Sequence, residues 1–328
     1  MNQDIIHPFG GKTRSFTTEF CGRELTIETG KMAFLADGAV TVTYGDTVVL
    51  GTAVMSNSPR SGVDFFPLMI DYEERMYAAG KISGSRFIKR EGRASERATL
   101  AARLIDRPIR PLFPKGLRND IQAVATVVSL DPEQQTDIIA MIAASAALLI
   151  SGAPFEGPVA GARVALINDK LVAMPTNEQL EDSKLDLTVA GTKDAIMMVE
   201  AGANEVDEAT MIEAIELAHE AMQPVIELQS QLAAAVRPRM KDYELVTANA
   251  EIVEKISEYM KPKLGPAVRH EDQYLRHDAI RNLEREAHDQ FGLDYEAGQI
   301  EQAFGKVIDK EIRRAIVEDG KRPDGRET

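Results

Sequence analysis

Cysteine is nearly absent. One residue, Cys21, stands in 328, so no internal disulfide forms, and without a CxxC or a Cys/His cluster no zinc site is encoded. A reducing compartment fits that usage. Met1 to Ser15 holds polar residues and glycines where a secretory signal needs an apolar centre, so no export address is read there. The longest apolar run, Ile138 to Ile150, falls short of the roughly 20 residues that span a bilayer and reads as a buried helix. With 44% hydrophobic and 27% charged residues, the composition is globular, with room for one large or two to three ordinary domains. The expectation is a cytoplasmic protein with no membrane partner.

Positive charge is also in deficit: 38 Lys+Arg stand against 52 Asp+Glu, a formal charge of −14. Taken as a total, that disfavours nucleic acid. The deficit is uneven, however. Between Arg75 and Arg118 there are 12 Lys+Arg and 3 Asp+Glu, a local net of +9 that leaves −23 for the remainder. Most of these cations are arginine, whose planar fork matches phosphate oxygens and stacks on bases. Charge alone leaves two readings open, an anion-binding surface and a solvated helix face bridged to the acidic remainder.

Residues 16 to 72 read as β structure. Val40–Tyr44 and Thr47–Leu50 flank Gly45-Asp46, a two-residue hairpin signal. Phe65–Asp71 is a further strand, and Gly80 to Gly92 is a loop. Ser95 opens a helix that Pro108 and Pro111 end. Ile121–Leu130 is a strand, Thr136 caps the apolar helix to Ile150, and Pro158–Ile167 and Leu187–Glu200 supply more strands. From Asp207 the apolar period becomes helical through Met211, Ile215, Ala218, Met222 and Val225. Helical runs follow near Ala248–Met260, Arg269–Gln290 and Ile300–Val317, with a boundary near residue 240. The fold expected is a mixed α/β (α+β) unit followed by a small all-α domain.

Several motifs carry no chemistry. Gly11-Lys12-Thr13 ends like a phosphate-binding loop but has Ile6 where the first glycine belongs. His270, His277 and His288 could share a helix face, yet without a carboxylate set they read as surface residues. Cys21 has no histidine near it in sequence and reads as a packing residue rather than a nucleophile. Asp64, Asp71, Glu73 and Glu74 read equally as a cation site or a solvated strand end, and no metal site is assigned. The strongest signal is Gly80 to Arg93, where Phe87 and Ile88 sit beside Lys89 and Arg90 on a glycine-hinged loop. A stacking ring next to phosphate-binding cations suits a single strand. The competing reading buries Phe87 in the core.

At this loop and beyond, the sequence resembles the ribonuclease PH family. Glu28-Thr29-Gly30-Lys31-Met32-Ala33, Asp71-Tyr72-Glu73-Glu74-Arg75, Ala79-Gly80-Lys81-Ile82, Arg90-Glu91-Gly92-Arg93 and Leu104 through Pro114 carry the likeness in order. Gly157-Pro158-Val159-Ala160-Gly161 and Val189-Ala190-Gly191-Thr192 extend it. The resemblance implies a ribonuclease PH-like (ribosomal protein S5 domain 2-like) domain over residues 1–240, an all-helical linker domain over 241–317, and at 318–328 the start of a second ribonuclease PH-like domain. Arg322-Pro323-Asp324-Gly325-Arg326 resembles its opening RxDGR. The implied parent enzyme is a homotrimeric ring, working alongside RNA-degradation partners, that uses inorganic phosphate and Mg2+ to shorten single-stranded RNA from its 3′ end, releasing nucleoside diphosphates.

The resemblance also implies that this portion lacks the chemistry. Active members place a glycine/serine/threonine-rich phosphate loop after the strand that Ile121–Leu130 occupies, whereas this chain has Ser129-Leu130-Asp131-Pro132-Glu133. Active members also carry two aspartates and a lysine where this chain has Leu180, Asp186 and Thr188. The implied RNA-binding residues are Phe87, Lys89, Arg90, Arg93, Arg107, Arg110, Arg322 and Arg326, with Arg103 on the same positive path unless Arg103 and Arg107 pair with Asp106. Three functions compete: part of a phosphorolytic exoribonuclease with catalysis elsewhere, a stand-alone RNA-binding and ring-forming module, and a nuclease using Asp186 with acids near Asp131.

Overall fold

Alternating burial along β4 (Gly38–Tyr44) and β5 (Thr47–Pro59) shows how the first sheet forms. Val40, Val42 and Tyr44 are buried, as are Val49, Gly51, Ala53 and Met55, while their neighbours are more exposed except Thr41, which is buried on the other face of β4. The computed structural model describes residues 5–6, 12–60, 62–63, 65–82, 93–247 and 249–327. Gly45-Asp46 makes the expected turn, with Tyr44 opposite Thr47. A second tight hairpin joins β2 (Lys12–Phe20) to β3 (Arg23–Thr29) through Cys21 and Gly22, both at positive φ (51° and 80°). Cysteine is an unusual residue for that turn, which is why the sequence placed Cys21 within a strand.

With β1 (Ile5–Ile6), β6 (Leu68–Glu74) and β7 (Asn119–Ser129), these strands form a seven-stranded sheet ordered β1-β2-β3-β4-β5-β7-β6. Only the β6–β7 pair is parallel. A four-stranded antiparallel sheet, β11-β10-β8-β9, is built from β8 (Ala160–Ile167), β9 (Lys170–Ala173), β10 (Leu185–Gly191) and β11 (Ile196–Ala203). The stretch expected as one strand, Leu187–Glu200, is therefore two strands. The chain reverses at Thr192–Ala195, where the Thr192 N–H donates to the Ala195 carbonyl at 2.8 Å.

The helices of this unit are α1 (Glu96–Ile109), α2 (Asp137–Ile150), the short α3 (Asn177–Glu181) and α4 (Glu208–Val236). Ser95 caps α1 by accepting from the Ala98 N–H at 3.0 Å, as expected. α1 ends at Ile109, between Pro108 and Pro111 as expected; the buried Pro108 ring packs in its last turn, and a 3-10 turn follows at Arg110–Leu112. Thr136 does not cap α2: its hydroxyl bonds the Tyr72 hydroxyl, and the Asp137 carboxylate takes the Ile138 N–H instead. Every residue of α2 except Asp137 and Leu149 is buried. It packs on β4, β5 and β7, and on β8, α1 and α4. Gly38 and Gly51 permit that approach, since a Cβ on either would lie 2.1 Å from the Ala147 carbonyl oxygen or 2.4 Å from that of Ala143.

The chain divides into two compact units, Met1–Glu244 and Leu245–Thr328. The second consists of α5 (Ala250–Val268), α6 (Gln273–Phe291) and α7 (Ala297–Asp319), closed around Ile252, Ile256, Met260, Leu264, Ala287, Ile300 and Phe304. His270 precedes α6 and does not join His277 and His288 on a helix face. Among the described residues, no helix is long and apolar enough to cross a membrane.

Gly51→Val should lower the unfolding transition of the first unit by about 1–3 kcal/mol, because the sheet and α2 have no room to separate. Gly305→Ala, on an exposed part of α7 with no atom within 4 Å of a new Cβ, should raise that of the second by about 0.5–1 kcal/mol. Calorimetry of the three proteins checks both signs.

Candidate functional site

β10 lies between β8 and β11, and its register sets out a polar row across the small sheet. Thr188 is opposite Arg163 on one side and Glu200 on the other, and Asp186 is two residues away on the same face. This face forms one wall of a cleft of about 700 Å³, whose other walls come from Tyr72 on β6, Arg97 and Leu100 on α1, the Gln135-Thr136-Asp137 entrance to α2, and Asn177. Of the three positions matched to the family's catalytic residues, Asp186 and Thr188 line this cleft. Leu180 is half-buried in α3 and does not.

Arg163 holds the centre of the charge. Its guanidinium donates to Asp137 at 2.6 Å and to Asp186 at 3.3 Å, with its side chain 12% exposed. One buried cation thus serves two carboxylates. Glu200 is taken by Arg107 at 2.6 Å, and Arg97 approaches Glu74 at 3.9 Å. The cleft contains Glu96, Asp137, Asp186 and Glu200 against Arg97 and Arg163, so it is acidic on balance. Burial pushes the Tyr72 phenol well above its usual range and holds it as a neutral hydroxyl.

The loop after β7 is closed on itself. The Leu130 N–H donates to the Ala78 carbonyl (3.1 Å) and that of Asp131 to the Thr47 hydroxyl (3.1 Å). The Glu133 and Gln134 N–H groups return to the Asp131 carboxylate (2.9 Å) and carbonyl (3.1 Å), and Pro132 has no N–H. From 130 to 134 every backbone donor is spent or missing. Arg23 holds Asp131 at 3.1 Å and Glu133 at 3.8 Å. Asp131 and Asp186 therefore belong to separate ion pairs. The residues present do not fit a magnesium ion: Asp186 answers Arg163, and among the described residues no group of three or more His, Cys, Asp or Glu is placed to hold a metal. Cys21 is no nucleophile at neutral pH, since burial pushes its thiol up to about 11.

The sequence-identified cations divide by partner. Arg110 donates twice to Asp106 (2.9 and 2.8 Å) and to the Phe66 and Leu68 carbonyls, tying α1 to the start of β6. It is thus Arg110, and neither Arg103 nor Arg107, that pairs with Asp106. Arg93 and Arg103 are exposed and have no ion-pair partner among the described residues. In the second unit Arg326 pairs with Asp324 at 2.6 Å, while the Arg322 N–H donates to the Arg326 carbonyl across a tight turn. Phe87, Lys89 and Arg90 lie outside the described residues, as does Asp64. Sequence reasoning missed Arg163 and Asp137. The available signal was a lone arginine in the apolar run Ala160-Gly161-Ala162-Arg163-Val164-Ala165, since an isolated charge in a buried strand needs a partner.

Against known families, residues 22–154 match the 3′ exoribonuclease family, domain 1, and residues 157–221 match domain 2 of that family. Residues 251–327 match the RNA binding domain of polyribonucleotide nucleotidyltransferase. Among curated relatives, the polyribonucleotide nucleotidyltransferase of Heliobacterium modesticaldum is 49% identical over 95% of this chain and 44% of its own length. That of Bacillus subtilis is 46% identical over 97% of this chain and 45% of its own. The chain thus spans under half the length of these relatives. Among solved structures, rice (Oryza sativa) Rrp46 gives a TM-score of 0.46 at 12% identity, covering 72% of this chain and 96% of its own.

Arg163→Met should cost about 3 kcal/mol, because it strands the largely buried Asp137 carboxylate. Asp186→Asn should cost less than about 1 kcal/mol, since that side chain is half exposed and Arg163 keeps its second partner. Urea unfolding distinguishes the two, and equal costs would contradict the assignment of Asp137 as the principal partner.

Proposed function

The chain belongs to the polyribonucleotide nucleotidyltransferase family, with both 3′ exoribonuclease domains and the RNA-binding domain that follows, and on that premise we propose that it is the RNA-guiding portion of a polynucleotide phosphorylase. The whole enzyme uses inorganic phosphate to take nucleotides one after another from the 3′ end of single-stranded RNA, releasing nucleoside diphosphates in the cytoplasm. This portion contributes to a trimeric ring and its RNA entrance. The phosphate and magnesium chemistry falls to a second ribonuclease PH-like unit in the whole protein.

One observation carries this division of labour: the loop from Leu130 to Gln134 has no free backbone donor. An attacking phosphate needs N–H groups and hydroxyls aimed at its oxygens. Here it would meet Asp131 and Glu133 instead, next to a cleft whose one buried cation is already shared. The RNA-facing residues assigned are Phe87, Lys89 and Arg90 on the loop, with Arg93 before α1 and Arg103 on it continuing the path. Arg107 joins them by exchanging Glu200 for a phosphate. Arg110 contributes through the position of α1, and Arg322 and Arg326 belong to the turn beyond α7.

Purified chain incubated with poly(A) and phosphate should release no nucleoside diphosphate, with full-length enzyme as the positive control. Phosphate-dependent release would overturn the assignment of catalysis elsewhere. Binding of labelled oligo(A) should be weak and salt-sensitive. Lys89→Ala with Arg90→Ala should flatten the slope of log affinity against log salt by roughly 1.4, the loss of two phosphate contacts on a single strand.

A further inference from the structure

Helix α7 carries Lys306, Lys310 and Arg313 on one face, at steps of four and three residues, all exposed. The opposite face, through Phe304, Val307, Ile308 and Ala315, is buried. None of the three cations has an ion-pair partner among the described residues, although Asp309 lies between them in sequence. Carboxylates are not scarce in this unit, since Leu245–Thr328 contains 18 Asp+Glu and 14 Lys+Arg. Lys255, Lys263, Arg269, Arg314 and Arg326 each hold at least one. Lys306 and Lys310, four residues apart on one helix, repel each other. The stripe keeps that repulsion and leaves its charge turned to solvent.

We propose that this stripe is a contact for the phosphate backbone of single-stranded RNA, a second grip separate from the loop at Phe87. The proposal rests on the RNA-handling reading above and deepens it. From Lys306 to Arg313 the helix rises about 10 Å at 1.5 Å per residue, which matches about three steps of a stacked strand at ~3.4 Å each. Three steps join four phosphates, so the three cations lie along a stretch that offers each of them one. The exposed face has no aromatic side chain, so it follows the backbone without stacking on bases, and its contribution is independent of sequence.

The test measures anisotropy of labelled oligo(A) with the full 328-residue chain over a range of salt. Lys306→Gln, Lys310→Gln and Arg313→Gln together should reduce affinity at low salt roughly 10- to 100-fold and flatten the salt slope by about 2. Replacing both lysines by arginine should preserve binding. If the parent chain binds and the triple variant binds equally with the same slope, the stripe is refuted and the RNA-handling reading stands. Failure of the parent itself to bind at low salt refutes that reading and the stripe with it. If labelled polyglutamate, and not RNA, loses binding in the triple variant, the face belongs to an acidic polypeptide and the proposal falls. Should the triple variant fail to fold, oligo(A) in excess over the unsubstituted chain decides the matter: Lys306 and Lys310 should be protected from acetylation, and unchanged modification counts against the proposal.

Discussion

Helix α2 is the constraint on which the first unit depends. It is apolar all round, so every side must be covered, and a strand layer on one side with strands and helices on the other is the way to do it. Close cover requires small residues. Ala143 and Ala147 on the helix meet Gly51 and Gly38 on neighbouring strands, and backbone approaches backbone where any side chain would intervene. The position of α2 then fixes the chemistry at its N-terminus. Asp137, the first residue of the helix, is carried to the base of the cleft, where burial obliges its charge to find a partner. Arg163 is that partner because β8 packs directly on α2.

The same burial explains why the cleft is electrostatically finished. A guanidinium 12% exposed costs much desolvation and is kept only if carboxylates compensate for it. Asp137 and Asp186 do so, and Arg163 then has little attraction left for a phosphate. The neighbouring loop follows the same logic with backbone groups, turning its donors back on Asp131, Thr47 and Ala78. In both places charged and backbone groups that would bind a ligand in an open site are largely taken up by the protein itself, although Nε of Arg163 keeps no hydrogen-bond partner. The result is a polar junction between two sheets.

What the sequence revealed follows the range of the forces involved. The Gly45-Asp46 hairpin, the Ser95 cap and the helix beginning after Asp207 are set by neighbours in the chain, and all three are found. The misreadings came from tertiary contacts. Thr136 has the right residue type for a cap, but Tyr72, 64 residues away, takes its hydroxyl. Cys21 occupies a turn usually filled by Asn or Asp, and no local pattern announces it. At the cleft, Asp186 and Thr188 share a face by the two-residue period of a strand. Arg163 lies 26 residues from Asp137, and no spacing rule joins them.

In a chain with a surplus of 14 negative charges, a cation that stays unpaired is more informative than one that is abundant. Arg110 is part of the arginine-rich island, yet its guanidinium is committed to Asp106 and two carbonyls, so the island's local charge overstates what an anion would meet. Arg93 and Arg103 keep theirs, and so do Lys306, Lys310 and Arg313 on a helix of a unit that is acidic in total. Where carboxylates outnumber cations, pairing between exposed side chains occurs readily, although each pair is worth only about 0–1 kcal/mol. Rows of exposed cations without it therefore retain the charge that a polyanion can use, since the gain on binding phosphate comes from releasing counterions rather than from breaking an internal pair. That distinction separates Arg93, Arg103 and the exposed stripe of α7 from the cleft between the sheets: the cleft has spent its charge on folding, and these cations have not.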